Sequence, residues 1–187
     1  MISRERQIEI EIEVKEMLKE YELATYPISI SKVAKALGID LIPYSSLAEK
    51  ERNLAFTASE DAFSICSPDL TIATIVFNDT NGSNFNRARF SGGHEIGHIH
   101  LNHKENTPNR EEEADYYSGY LLAPHPLIHT GSTIASVASR FGISQQCASF
   151  ACSQTKARHK EGGPWRPHEK WLIDHATWEG GGLLGRA

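Results

Sequence analysis

His94-Glu95-Ile96-Gly97-His98, followed by Glu111-Glu112-Glu113-Ala114-Asp115, is the stretch on which the reading of this chain turns. Two histidines four residues apart lie about 40° apart around an α-helix, so both imidazoles can reach one metal ion. Glu95 points obliquely off that face, where its carboxylate can touch a metal-bound water without being a ligand. A segment this short also arises by chance in proteins that hold no metal, so its surroundings have to carry the reading.

Those surroundings predict a helix from about Asn86 to Leu101, with Phe90, Gly93, Gly97 and Leu101 at helical spacing. Glycine costs about 1 kcal/mol relative to alanine inside a helix, so Gly92, Gly93 and Gly97 need a reason, and close approach of another backbone beside a metal site is one. Lys104–Asn109 reads as a loop. Thr107-Pro108 then opens a second helix that carries Glu111 and ends at Ala123-Pro124. A catalytic zinc keeps three protein ligands and one open position. His94 and His98 supply two, and Glu111, Glu112 and Glu113 are the carboxylates on offer for the third. Asp115 shares a helical face with Glu111, which suits one ligand plus one outer carboxylate orienting a histidine N–H.

Upstream, Arg4–Tyr21 offers both an alternating and a helical pattern, and its length and composition favour the helix. Ser31–Leu37 reads as a short helix stopped by Gly38, and Asp40–Tyr44 as extended. Leu54-Ala55-Phe56-Thr57, Phe63-Ser64-Ile65-Cys66 and Thr71–Phe77 read as β-type runs, which predicts a small antiparallel sheet. Asp79–Asn84 is a polar loop ahead of the motif helix. Thr133–Arg140 and Ser144–Lys156 make a helical pair around Gly142, and beyond Arg158 come all three tryptophans and Gly180-Gly181-Gly182.

Composition bounds the rest. A chain of 187 residues, 40% hydrophobic and 23% charged, fits one soluble globular domain. A net charge of −5 argues against broad attraction to nucleic acid or anionic lipid. The N-terminus lacks a signal-peptide apolar stretch and no run is long enough to span a bilayer, so the expected location is the cytoplasm. Cys66, Cys147 and Cys152 have no metal or redox spacing and read as inert thiols.

With Phe90 ahead of H-E-I-G-H, then Glu111-x-x-Ala114-Asp115, then Leu121-Leu122-Ala123-Pro124, the chain resembles the ImmA/IrrE family of zinc metallopeptidases, HExxH enzymes of gluzincin type. The resemblance covers roughly Ser29 to Phe150. It implies a zincin-like α+β metallopeptidase domain, with helices packed on an antiparallel sheet of three or more strands. It also implies zinc held by His94, His98 and Glu111, Asp115 in the outer shell, and Glu95 as general base. Two departures stand out. Ser91-Gly92-Gly93 replaces the family's more usual Thr-Leu-Gly or Thr-Leu-Ala, and nothing after Arg158 has a counterpart. The expected organisation is a domain over 1–158 and a Trp/Gly-rich tail over 159–187.

The resulting expectation is an intracellular zinc-dependent endopeptidase with a narrow regulatory substrate, which the resemblance implies to be a helix-turn-helix repressor. The substrate would lie extended along a sheet edge. Tyr116, Tyr117, Tyr120, His100 and His103 are candidate donors to the oxyanion, with His100 and His103 read first as exposed or packing residues. One rival is a non-proteolytic metal-binding module acting through protein partners. Another is a DNA-binding regulator using Ile134–Ser144 and the following helix, whose Ser, Gln, Ala and Cys side chains make packing the favoured role. The tail could dock a partner, cover the site, lie unordered, or fold against the domain as a helix over Glu169–Trp178.

Overall fold

The computed structural model describes residues 2–67, 72–80, 85–105 and 107–179. At the N-terminus the helical pattern wins: α1 (Arg4–Glu20) buries Ile10, Val14, Met17 and Leu18, and Ser3 caps it by accepting from the Arg6 N–H. A two-residue strand β1 (Thr25–Tyr26) leads to α2 (Ile30–Ala36), which Ser29 caps and after which Gly38 turns the chain at φ +70°. β2 (Ile39–Pro43) follows.

Leu54–Thr57 is not a strand. It lies inside α3 (Glu49–Ala58), where Glu49 and Glu51 occupy the first turn and the Glu51 carboxylate accepts from the Ala48 N–H. Helix-forming Glu-Lys-Glu-Arg ahead of the apolar run, with acid at the positive end of the helix, outweighs the β preference of four residues. Ala55 is the residue α3 buries, while Leu54 and Phe56 stay exposed.

β3 (Ala62–Cys66) and β4 (Ala73–Phe77) complete a three-stranded sheet in the order β2-β4-β3 among the described residues. β3 runs antiparallel to β4, with Ser64 opposite Ile75, but β2 runs parallel to it, with Leu41 opposite Ile75. The sheet is therefore mixed rather than antiparallel throughout: the chain crosses over through α3 before returning to the centre. One face, through Ala62, Ala73 and Ile75, joins the main core with Ile96. The other face packs Val76 and Phe63 against Tyr44 and Ala55. Thr71 and the end of the expected polar loop, 81–84, lie outside the described residues.

The motif helix is α4 (Phe85–His100), and it packs lengthwise on α5 (Pro108–Leu122). The close approach beside the glycines comes from side chains. A Cβ on Gly93 would meet Ser118 Oγ at 2.6 Å, one on Gly92 would meet Ile30 at 2.9 Å, and one on Gly97 would meet the Tyr117 ring at 3.2 Å.

Helices α6 (Ile134–Phe141) and α7 (Gln145–Glu161) turn at Gly142, at φ +60°. The buried Arg89 of α4 reaches that turn and donates to the carbonyls of Phe141 and Gly142, and to that of Ile28. The C-terminal part folds against the rest. After α8 (Pro167–His175), β5 (Thr177–Trp178) pairs parallel with β1, and Trp178 packs on Tyr26 and Phe141. Glu169 on α8 meets Arg158 of α7 at 2.7 Å and His125 at 3.0 Å, all three buried. Gly180-Gly181-Gly182 lies outside the described residues.

No helix among the described residues is long and apolar enough to cross a membrane.

Candidate metal centre

Helical spacing brings His94 and His98 onto one face of α4, with their Nε2 atoms 3.0 Å apart. From α5, Glu111 Oε2 comes within 3.2 Å of His94 Nε2, and Oε1 within 3.3 Å of His98 Nε2. One ligand atom from each of these three residues lies within 4.8 Å of the others. Asp115, one turn further along α5, accepts at 2.9 Å from His94 Nδ1.

These contacts fix where the protons sit. A carboxylate only accepts, so His94 carries its proton on Nδ1, toward Asp115, and its Nε2 faces inward. Two imidazole nitrogens and a carboxylate then converge on one point, where only a proton or a cation can reconcile them. Two nitrogens at 2.0–2.1 Å from a tetrahedral ion stand about 3.3 Å apart. The donor set and its spacing thus fit zinc. Burial alone would lower the pKa of His94, but Asp115, Glu95 and Glu111 outweigh it and raise it; burial and the charge of His94 lower that of His98.

The end of α4 adds a residue the sequence reading set aside. Asn102 takes the left-handed conformation at φ +57°, and the N–H of His103 bonds back to the His98 carbonyl at 2.9 Å. This helix-ending turn folds His103 over His98, with Nδ1 to Nδ1 at 3.0 Å. His103 is 5% exposed and its Nε2 meets Glu113 Oε2 at 3.1 Å. An asparagine just past a helix that carries metal-ligand spacing was the available signal.

Glu95 faces the sheet. Burial raises its pKa above the ordinary glutamate range, partly offset by hydrogen bonds from the Ser64 hydroxyl and backbone N–H and by the charge of His94. Ser64, on β3, is a second residue the sequence reading did not single out. A cleft of about 1120 Å³ opens over this centre, bounded by Asp61 and Ala62 at the sheet and by Gln146 and Phe150 of α7. The face of α7 read as a possible DNA reader therefore lines the cleft. None of the described residues beyond Gln154 lines it, so the described tail does not cover it.

The tyrosines expected as donors are committed elsewhere or buried. Tyr116 donates to Glu11 at 2.6 Å, Tyr117 pairs with His100 at 2.9 Å, and Tyr120 lies in the core. The three cysteines are free thiols; burial pushes Cys147 up to about 11, which keeps it protonated.

A second convergence of possible ligands, Glu11, His125 and Glu169, is fully buried. Its carboxylates already accept from Arg4, Arg158, Arg166, Tyr116 and His168, so arginine cations fill the role a metal would have.

The model of the peptidase M78 family, described as the IrrE N-terminal-like domain, matches residues 34–153. No curated protein and no solved structure matches the chain.

Proposed function

The chain belongs to the IrrE N-terminal-like family of peptidases, a metallopeptidase family, and we propose on that premise that it is a zinc-dependent endopeptidase. The observation that carries this reading is the convergence of His94, His98 and Glu111 on one point, beside a cleft lined by His94, Glu111 and Glu95.

His94, His98 and Glu111 would hold the ion. When bound, zinc lowers the pKa of water toward about 7 and polarises a carbonyl. The chain supplies the proton handling. Glu95, raised by burial, takes a proton from the attacking water and returns it to the departing amine. Ser64 holds that carboxylate against the sheet, and Asp115 keeps the His94 ring turned inward. Among the described residues β3 pairs with β4 on one side only, and Asp61 and Ala62 bring its start to the cleft wall. An extended substrate segment can add along that edge by main-chain hydrogen bonding. The family resemblance carried by the motifs over Phe90–Pro124 supports a narrow regulatory protein substrate, a helix-turn-helix repressor, and the N-terminal sequence, without a signal-peptide apolar stretch, supports a cytoplasmic site of action.

The test compares wild type with Glu95→Gln, both of verified zinc content, against repressors encoded in the same genomic neighbourhood. Expected is a loss of cleavage of about 10²–10⁴-fold or more with zinc retained. Full zinc occupancy without wild-type cleavage of any such repressor would favour a non-proteolytic metal-binding module. Absence of stoichiometric metal would overturn the site.

A further inference from the structure

His94 and His98 are supported very differently. Asp115, which orients His94 at 2.9 Å, has a side chain 61% exposed. His98 is backed by a chain of three groups that leads away from the cleft. His103, 5% exposed, comes first, then Glu113, 16% exposed. Arg6 of α1 follows, donating to Glu113 Oε2 at 2.6 Å while Glu9 holds another of its nitrogens at 2.9 Å.

We propose that His103, Glu113 and Arg6, none of which lines the cleft, form a positioning relay that fixes His98 in its metal-binding tautomer, so that Arg6 of the N-terminal helix helps set metal affinity. The proposal rests on the metal reading given above.

Each step forces the next. Glu113 is an acceptor, and the Arg6 cation beside it keeps it one, so the His103 nitrogen that faces it carries the proton. A neutral imidazole protonated at Nε2 has a bare Nδ1. That atom faces His98 Nδ1 at 3.0 Å, so His98 must be the donor. His98 then presents a bare Nε2 toward His94 and Glu111, which is the form a metal requires. Without the relay, His98 could carry its proton on Nε2, where Glu111 Oε1 at 3.3 Å would accept it. A metal would then have to displace that proton. The hydrogen bonds at His103 are partly buried, where such alignments are worth more than in open water.

The sequence separations explain why this is a tertiary device. Glu113 is two positions from Glu111 on α5, so the two carboxylates leave the helix on different sides. One meets both ligand histidines directly and the other meets His103.

The test measures zinc affinity by competition with a chromophoric chelator, using wild type, Glu113→Gln, His103→Ala and the double variant. Glu113→Gln keeps the shape while removing the obligate acceptor, and it should weaken zinc binding about 10-fold; His103→Ala should weaken it about 10–100-fold. Because the groups act in series, the double variant should be no weaker than His103→Ala alone. His103→Asn, whose amide oxygen can accept from His98 Nδ1, should recover part of the loss. The tautomers are read directly from long-range ¹H–¹⁵N spectra of the zinc-free full chain near pH 8, where His98 should be protonated on Nδ1 and His103 on Nε2. Wild type that binds zinc, with Glu113→Gln and His103→Ala within twofold of it, would overturn the relay alone. So would an Nε2-protonated His98 in wild type. Wild type that binds no zinc would overturn the metal reading and the relay together.

Discussion

Ser118 Oγ stands 2.6 Å from the position a Cβ on Gly93 would take, and it is held there by a 2.8 Å hydrogen bond to the Phe90 carbonyl. Gly93 directly precedes His94, so this contact sets how closely α5, and Glu111 with it, approaches the motif helix. Alanine at 93 would gain about 1 kcal/mol in helix propensity, but overpacking of this kind costs about 1–3 kcal/mol. Gly93→Ala should weaken zinc binding and leave little or no net gain in stability in urea unfolding. Ser118→Ala in that background should recover part of the zinc affinity, because it removes the colliding oxygen.

Among the described residues Arg89 is buried without a salt bridge to a carboxylate; its guanidinium is spent on the carbonyls of Ile28, Phe141 and Gly142. Burial pulls its pKa below the ordinary arginine value. A lysine at this position has a compact ammonium that cannot span the three acceptors as the fork does. Arg89→Lys should therefore cost about 2 kcal/mol, through carbonyls left without a donor. Chemical denaturation measures the loss, which should be greater than that of Arg87→Lys, whose salt bridge to Asp61 is half exposed.

Asp115→Asn replaces an obligate acceptor at His94 with a group that can also donate. Zinc affinity should fall about 10-fold by chelator competition, while the unfolding midpoint of the metal-free protein stays close to wild type, because the Asp115 side chain is largely exposed.

Glu11 and Glu169 make the acid limb of stability steep. Burial alone would push the Glu11 carboxyl up, but hydrogen bonds from His168, Tyr116 and Arg4 and the charge of His125 outweigh it and bring it to about 2. Glu169 is likewise held well below the usual range, as His125, Arg158 and the Arg166 N–H outweigh its burial. A carboxylate with a depressed folded pKa contributes stability that is complete above its unfolded value and is lost as pH falls through the folded one. Stability should be flat on this account from pH 7 to about 5 and decline toward about pH 2. The Glu11 shift from 4.5 to about 2 corresponds to roughly 3 kcal/mol. Glu11→Gln should flatten the decline in urea midpoints between pH 5 and 3. Glu169→Ala, which leaves Arg158 and His125 buried without that carboxylate, should cost about 3–5 kcal/mol at pH 7.

What the sequence determined by itself is the local part of this protein. Helical spacing, capping and stop signals, and composition located α1, α4, α5 and α6 to within a few residues, because they act within one element; α7 runs five residues past the expected Lys156. The spacing of His94, Glu95 and His98 implied that two imidazoles share one face, since a single helix's geometry decides that. The acidic run on α5 was placed near them by loop length, and family resemblance selected Glu111 for the ligand position. Tertiary structure decided what depends on partners distant in the chain. Leu54–Thr57 looks extended in a four-residue window and is helical because of what precedes it and what Ala55 packs against. β2 pairs parallel to β4, a crossover that no strand encodes alone. Glu113 leaves α5 on a different side from Glu111, and only the tertiary fold puts His103 and Arg6, the latter more than a hundred residues earlier, around it there. His103 is drawn over His98 by one left-handed residue, Asn102. A hydrogen bond forms where two groups meet in space, and sequence spacing fixes that meeting only within a single element of secondary structure.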